Sequence, residues 1–182
     1  TNSDTLKAIH RKTDWPATQN RIRHLLTGKN IHLHLDLIAG LPKENLTSFA
    51  NSFNEVYQLH PHQIQLGFLK LLPGSLLADE AKIYKISCRR YPPYEVLKTE
   101  DISFTELTLL KRIEELVELL YNSGRFRLSL TLLENFFDSP FEFYKASAEY
   151  LVKNSTTVRQ LGKYGGYQLL FSLCEQKNAA KL

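Results

Sequence analysis

The sequence has no methionine and only two cysteines, Cys88 and Cys174, among its 182 residues. Because a complete reading frame starts with methionine, we expect a chain that is processed or cut from a longer protein. The two cysteines lie too far apart to fit a metal-binding spacing, and one pair does not make a disulfide framework. A reducing compartment, the cytoplasm, is therefore the expected location.

Long apolar stretches are also missing. No run approaches the roughly 18 to 20 apolar residues that a membrane helix needs, and no apolar segment of the signal-peptide type follows the opening residues Thr1–Asp4. An apolar fraction of 43% beside a charged fraction of 23% is ordinary for a globular protein. We therefore predict a globular chain that does not interact with membranes.

Clustered positive charge is absent too. The net charge is +4, and the basic residues are scattered apart from the close pairs Arg21/Arg23 and Arg89/Arg90. Nucleic-acid binding requires a basic patch or stripe. The sequence therefore predicts no nucleic-acid partner.

The first half of the chain alternates helix and strand. The pattern predicts a helix over 3–27 with a break near Trp15-Pro16 and an end at Gly28, a strand over 31–38, a helix over 46–59 and a strand over 63–69. Helix and strand in alternation with short connections are typical of parallel α/β units.

The second half is predicted to be helical. Residues 91–94 (YPPY) suggest a rigid extended stretch at a boundary. Ser103 and Glu106 have the spacing of a capping box, and an apolar stripe follows as far as residue 122. Further helices are predicted over 126–137, 140–152 and 167–176.

Each predicted strand has one apolar and one polar face. His32, His34 and Asp36 share a face of the first strand, while Gln63, Gln65 and Gly67 share a face of the second. Parallel sheets are rarely open to water, so the polar faces are expected to line a cavity such as a barrel lumen. Functional residues in such folds lie at the carboxyl ends of strands, which selects Asp36, Ile38, Gly40, Leu69 and Lys70.

Several of these residues allow two interpretations. His32 and His34 could ligate a metal, but a third ligand is not identifiable, and hydrogen bonding in a lumen is the alternative. The segment 60–62 (HPH) is expected on the surface. Asp36 either caps the following turn or binds a ligand, and Arg11 taken alone is an ordinary helix arginine.

Residues 36–44 (DLIAGLPKE) resemble the fifth-strand motif of radical S-adenosylmethionine (SAM) enzymes, and residues 1–11 resemble the segment after their fourth strand. Residues 64–75 (IQLGFLKLLPGS) resemble the sixth strand of the cobalamin-binding subgroup. Residues 92–97 (PPYEVL), 121–126 and 139–144 resemble the helical C-terminal domain of that subgroup. Members include Fe–S oxidoreductases and the anaerobic magnesium-protoporphyrin ester cyclase.

The resemblance implies a fold class: α/β, with partial TIM-barrel-like parallel β/α units followed by an all-helical C-terminal domain. The expected division is a barrel third over 1–75, a linker over 76–102 and a helical domain over 103–182. The expected cofactors of the parent protein are SAM and a 4Fe-4S cluster, with cobalamin as a further candidate. The family's cluster needs a CxxxCxxC loop, which this chain lacks, so the fragment alone is predicted to be inactive.

The resemblance also assigns residues. Arg11 matches an arginine that contacts SAM, where a guanidinium suits a carboxylate. Asp36 matches an acceptor for ribose hydroxyls, Ile38 and Gly40 shape the adenine wall, and the backbone at Lys70 meets the adenine. Lys43 stands where relatives often have glycine, which puts the geometry of this turn in doubt. No catalytic residue and no metal ligand are expected in this chain.

The rival readings are a coproporphyrinogen-dehydrogenase-like radical SAM protein, which shares the sequence DLIxGLP, and a non-catalytic docking module. The expected partners are the rest of the parent chain and a small-molecule substrate that the sequence does not identify. Self-association through exposed strand edges is a further expectation.

Overall fold

The computed structural model describes residues 1–28 and 30–179. It divides into two compact units, Thr1–Leu110 and the chain from Lys111 onward. The elements that begin in the first unit are, in chain order, α1 (Ser3–Ala8), α2 (Trp15–Thr27), β1 (His34–Ala39), α3 (Leu46–Tyr57), β2 (Gln63–Phe68), α4 (Leu76–Asp79), β3 (Ser87–Cys88), β4 (Val96–Lys98) and α5 (Phe104–Val117).

The parallel pair β1 and β2 confirms the predicted β/α unit. The two strands run in register from His34 beside Gln63 to Ala39 beside Phe68. β1 begins three residues later than predicted, because the Leu33 carbonyl accepts hydrogen bonds from the His62 and Gln63 N–H groups instead of continuing the ladder. α3 packs against β1 through a buried stripe that the helical periodicity predicts: Phe49, Phe53, Val56 and Tyr57.

The helix predicted over 3–27, with a break near Trp15-Pro16, is two helices in the structure. α1 ends at Ala8, and α2 begins at Trp15 with Asp14 as its N-cap, whose carboxylate accepts a hydrogen bond from the Ala17 N–H at 2.9 Å. Pro16 lies in the first turn of α2, where its missing N–H costs nothing. The predicted break is therefore real, but it covers residues 9–14 rather than Trp15-Pro16.

Residues 76–102 are folded. β3 and β4 pair in antiparallel fashion, and Lys70 forms an isolated antiparallel bridge with Glu95. The stretch 91–94, predicted as extended, is a turn in which the Tyr94 N–H donates to the Tyr91 carbonyl at 3.0 Å. The segment that resembles a helical domain at 92–97 thus contributes to this turn and to β4.

The second unit is helical. After α5 the chain forms a π-helical segment (Glu118–Asn122), α6 (Arg127–Leu133), a 3₁₀ turn (Glu134–Phe136), α7 (Pro140–Lys153), a second 3₁₀ turn (Val158–Gln160) and α8 (Gly162–Ala179). The largest side chains of its core that are almost fully buried are Ile113, Leu116, Leu120, Phe126, Phe141, Phe143 and Tyr144. The predicted capping box at the start of α5 is confirmed by bonds from the Ser103 N–H to Glu106 Oε2 at 2.8 Å and from the Glu106 N–H to Ser103 Oγ at 3.3 Å.

The chain is therefore a mixed α/β protein with a small parallel sheet and a helical C-terminal region. Two parallel strands do not make a barrel, so the barrel stays a prediction, as do the domain limits 1–75, 76–102 and 103–182. No helix of the described residues is long and apolar enough to cross a bilayer.

Candidate functional site

The carboxyl ends of β1 and β2 meet at one edge of the sheet because the strands are parallel. Asp36 and Ile38 lie on the same face of β1, Gly40 follows the strand, and Lys70 comes two residues after β2. Ile38, Gly40 and Lys70 are thus placed at or near a single edge, whereas Asp36, which was predicted at the end of its strand, is the third of the six residues of β1. Ligands of open parallel sheets bind outside such an edge.

The predicted two-faced character of the strands is confirmed. On one face Leu37, Ile64 and Leu66 are buried, whereas His34, Asp36, Ile38 and Gln65 on the other face are exposed.

Asp36 is exposed, and its carboxylate makes no hydrogen bond or ion pair with any described residue. A turn cap would have to bond a backbone N–H of the Gly40 turn. The geometry therefore offers no contact for the capping interpretation of Asp36, and it leaves the carboxylate available to a ligand.

Ile38 and its register partner Gly67 form an apolar part of the same face, and the surface is shallow at Gly67 because glycine has no side chain. The Ile38 side chain is 41% exposed. A Cβ added at Gly67 would meet only the Leu37 carbonyl oxygen, at 3.7 Å, so the space in front of this glycine is open. A flat ring could lie across these two residues.

Gly40 has a positive φ of 87°, a conformation that favours glycine. It is buried, and a Cβ at this position would lie 3.6 Å from Val96 Cγ1 and 3.7 Å from Leu107 Cδ2. Backbone conformation and packing against β4 and α5 thus account for the glycine. Its predicted role beside an adenine stays a prediction.

Lys70 is exposed and faces Glu95 across the isolated bridge. The hydrogen bonds on either side of it run from the Leu71 N–H to the Tyr94 carbonyl and from the Val96 N–H to the Leu69 carbonyl. The Lys70 N–H itself has no backbone partner among the described residues. The predicted contact of this backbone with an adenine stays a prediction.

Arg11 lies apart from this face in the loop after α1, where its N–H donates to the Leu6 carbonyl at 2.8 Å. Its exposed side chain lines a shallow cavity of about 420 Å³ together with Ser3, Leu6, Lys7, Lys12, Thr13 and Asp14. None of Asp36, Ile38, Gly40 and Lys70 lines that cavity. The structure does not bring Arg11 together with them.

Lys43 takes the left-handed conformation, with a φ of 61°, that glycine would adopt without strain. The Lys43 N–H donates to Asp101 Oδ2 at 2.8 Å, and its carbonyl accepts from Asn2 Nδ2 at 3.0 Å. These two bonds hold the residue in a conformation that its side chain disfavours. The sequence left the geometry of this turn in doubt, because Lys43 stands where relatives often have glycine. The structure shows that Lys43 takes the left-handed conformation.

Glu44 is a buried carboxyl group that the sequence did not predict as a candidate. Burial raises its pKa from the ordinary 4.5 to about 7, while the Thr1 α-amino group and the Ser52 hydroxyl act to lower it. Ser52 Oγ donates to Glu44 Oε1 at 3.5 Å. The sequence pattern around Glu44 gives no sign of this burial, because the burial depends on groups such as the Ser52 hydroxyl that only the fold brings close.

Three imidazoles gather at the opposite end of the strand pair. The His32 ring centroid lies 4.8 Å from those of both His34 and His62. His62 Nδ1 accepts a hydrogen bond from the Leu33 N–H at 3.1 Å. Across residues 1–28 and 30–179, no group of three or more His, Cys, Asp or Glu side chains is arranged to hold a metal ion.

Residues 82–182 match a family described as a protein of unknown function (DUF4080), and this match covers more than half of the chain. The chain belongs to this family. The DUF4080 match takes in the β3–β4 hairpin and α5 to α8. The predicted site residues all precede residue 82, so the family match carries no information about them.

The DUF4080 chain is also similar to a cobalamin-dependent radical SAM methyltransferase, TokK, of Streptomyces tokunonensis. The two sequences are 29% identical over 93 residues. The alignment covers 50% of this chain and 14% of the methyltransferase, so the chain corresponds to a small part of that relative.

Proposed function

We propose that this chain is part of a radical SAM enzyme and that the exposed face of β1 and β2 forms one wall of its SAM site. The observation that carries the proposal is the Asp36 carboxylate, exposed and unbonded beside the open Ile38–Gly67 pair at the carboxyl edge of a parallel sheet. The similarity to a radical SAM methyltransferase supports it.

Each residue of this wall has a distinct task in binding SAM. The Asp36 carboxylate accepts hydrogen bonds from ribose hydroxyls, and Ile38 with Gly67 gives the adenine an apolar surface. The backbone N–H of Lys70 is a donor for an adenine nitrogen. SAM, when bound, supplies the radical chemistry, while these residues only bind and orient it.

The residues of this chain do not fit an iron–sulfur cluster. Three clustered thiolates are needed, whereas Cys88 and Cys174 are far apart in sequence and belong to different units. We assign the cluster ligands to another part of a longer protein, and we expect the isolated chain to be inactive. A role for cobalamin rests on the name of the matched methyltransferase alone, and we do not extend the proposal to a magnesium-protoporphyrin cyclase reaction.

The test replaces Asp36 by alanine in the full-length protein. Hydrogen bonds to charged groups contribute about 1.5 to 3 kcal/mol, so the dissociation constant for SAM should rise roughly 10- to 100-fold. Because the Asp36 carboxylate makes no hydrogen bond or ion pair with the described residues, the thermal midpoint should stay unchanged. Asp138→Ala, at an exposed aspartate of the helical unit, is the matched control and should alter neither quantity.

A lowered midpoint with unchanged SAM affinity would show that Asp36 is a structural residue. Unchanged affinity and an unchanged midpoint would instead favour the non-catalytic docking module.

A further inference from the structure

Asp36 and Gln65 are register partners on β1 and β2. Neighbouring strands lie about 4.8 Å apart, and residues paired in this way point to the same side of the sheet. Both side chains are exposed. Like Asp36, Gln65 makes no side-chain hydrogen bond with the described part of the chain.

This pair lies between two different neighbours on the exposed face. Toward the carboxyl edge is the apolar Ile38–Gly67 pair. In the other direction is His34 with Gln63, and the His34 ring packs against His32. Asp36 with Gln65 is therefore the polar pair that directly adjoins the surface for a flat ring.

The two side chains have complementary hydrogen-bonding capacity. An ionised carboxylate only accepts, whereas an amide both donates and accepts. Two neighbouring hydroxyl groups, each a donor and an acceptor, can bond one to the carboxylate and the other to the amide. A ribonucleoside matches this arrangement, because its sugar carries a vicinal diol and is joined to a flat base.

We propose that Gln65 is a specificity-determining residue, which bonds one hydroxyl of a ribose diol while Asp36 bonds the other. The proposal rests on the SAM site proposed above, and it adds a contact from the neighbouring strand. It predicts that the site distinguishes ribose from deoxyribose through Gln65 as well as through Asp36.

The experiment uses the full-length protein and titrates S-adenosylhomocysteine and its 2′-deoxy and 3′-deoxy counterparts by calorimetry. A neutral hydrogen bond contributes about 0.5 to 1.5 kcal/mol, so Gln65→Ala should weaken S-adenosylhomocysteine binding about 2- to 10-fold. For the counterpart that lacks the hydroxyl bonded by Gln65, wild type and Gln65→Ala should bind equally. Gln63→Ala, two residues earlier on the same face, is the matched control and should leave all three affinities unchanged.

Two results would overturn the inference while leaving the SAM site in place. One is a Gln65→Ala protein that binds S-adenosylhomocysteine as tightly as wild type. The other is an equal loss of affinity for all three ligands, which would indicate a general change of the sheet surface. If unaltered protein bound none of the three ligands, the proposed function and this inference would both fail.

Discussion

In the unit formed by Thr1–Leu110, five residues other than glycine have a positive φ, whereas Ser155 alone does so among the described residues from Lys111 onward. In the part of the chain that the structure describes, the buried side-chain atoms without a hydrogen-bond partner also lie in the first unit: Thr5 Oγ1, Trp15 Nε1, Glu55 Oε2 and Glu80 Oε2. Backbone strain and unsatisfied polar groups persist only where the surrounding structure holds them, and they concentrate at functional regions.

Apart from the positive φ of Ser155, the described part of the helical unit shows neither feature. Its interior is made of aromatic and aliphatic side chains, with Phe143 in ring contact with Phe137 at 5.4 Å and with Tyr144 at 5.0 Å. We infer that the helical unit is stabilised mainly by its packed interior, whereas the first unit combines a packed core around Phe49 and Phe53 with backbone strain at scattered turns. Four measurements test this contrast.

The largest expected effect comes from truncating the helical core. Phe143 is fully buried, so Phe143→Ala should lower the free energy of unfolding by about 3 to 5 kcal/mol through lost burial and a cavity. Phe171→Ala is the matched control, because this side chain is 65% exposed, and it should cost under about 0.5 kcal/mol. Equal losses in chemical denaturation would contradict a packed core around Phe143.

The second effect is a pH dependence of stability that arises from Glu44 in the first unit. Because the folded-state pKa of Glu44 is raised to about 7, the folded chain holds this proton more tightly than the unfolded chain. Protonated Glu44 therefore contributes to the free energy of unfolding. This contribution is complete below pH 4.5, and up to about 3 kcal/mol of it is lost as the pH rises to 7. Glu44→Gln should remove this part of the pH profile, measured by denaturation of the 182-residue chain between pH 4 and 8. A profile identical to wild type would show that Glu44 is ionised in the fold.

The third effect is overpacking in the helical unit. A Cβ at Gly166 of α8 would lie 2.5 Å from Cζ of the buried Phe126. Gly166→Ala should therefore destabilise the unit by about 1 to 3 kcal/mol, despite the better helix propensity of alanine. Adding Phe126→Leu should recover part of that loss. Gln168→Ala, at an exposed position of the same helix, serves as the control; a Gly166→Ala protein of unchanged stability would show that the ring can move away.

The smallest expected change in stability concerns the strained turn at Lys43. A left-handed residue other than glycine costs about 1 to 2 kcal/mol, and the greater freedom of glycine in the unfolded chain offsets about 0.5 to 1 kcal/mol. Lys43→Gly should thus stabilise the fold by about 0.5 kcal/mol, and Ser155→Gly, with a φ of 50° in the other unit, should give a similar gain. A loss at Lys43 alone would mean that its side chain makes a stabilising contact.

Helices and the parallel pair were predictable because their apolar residues recur with a clear period. The faces of β1 and β2 follow from strict alternation. The β3–β4 pairing was not predictable, since strands of two and three residues show no periodicity. α8 begins at Gly162 rather than at Tyr167, because packing of Phe126 against Gly166 outweighs the low helix propensity of two adjacent glycines.

The candidate site was predictable only in part, for a physical reason. Alternation along a strand shows which residues share its face, so Asp36 and Ile38 were found from β1 alone. The pairing of Asp36 with Gln65 depends on the register between two strands, which no single strand reveals. The buried state of Glu44 depends on how the chain folds back over it, and the position of Arg11 depends on where α1 ends.

The hydrogen bonds that hold the Lys43 peptide also bear on the order of folding. They join it to Asn2 and Asp101, which are 41 and 58 residues away in sequence. Closing loops of that length costs entropy before any contact forms, so the turn can take its left-handed shape only after both distant segments are in place. We expect Asp101→Ala to speed unfolding and to leave the folding rate unchanged in stopped-flow measurements, as for a contact absent from the transition state.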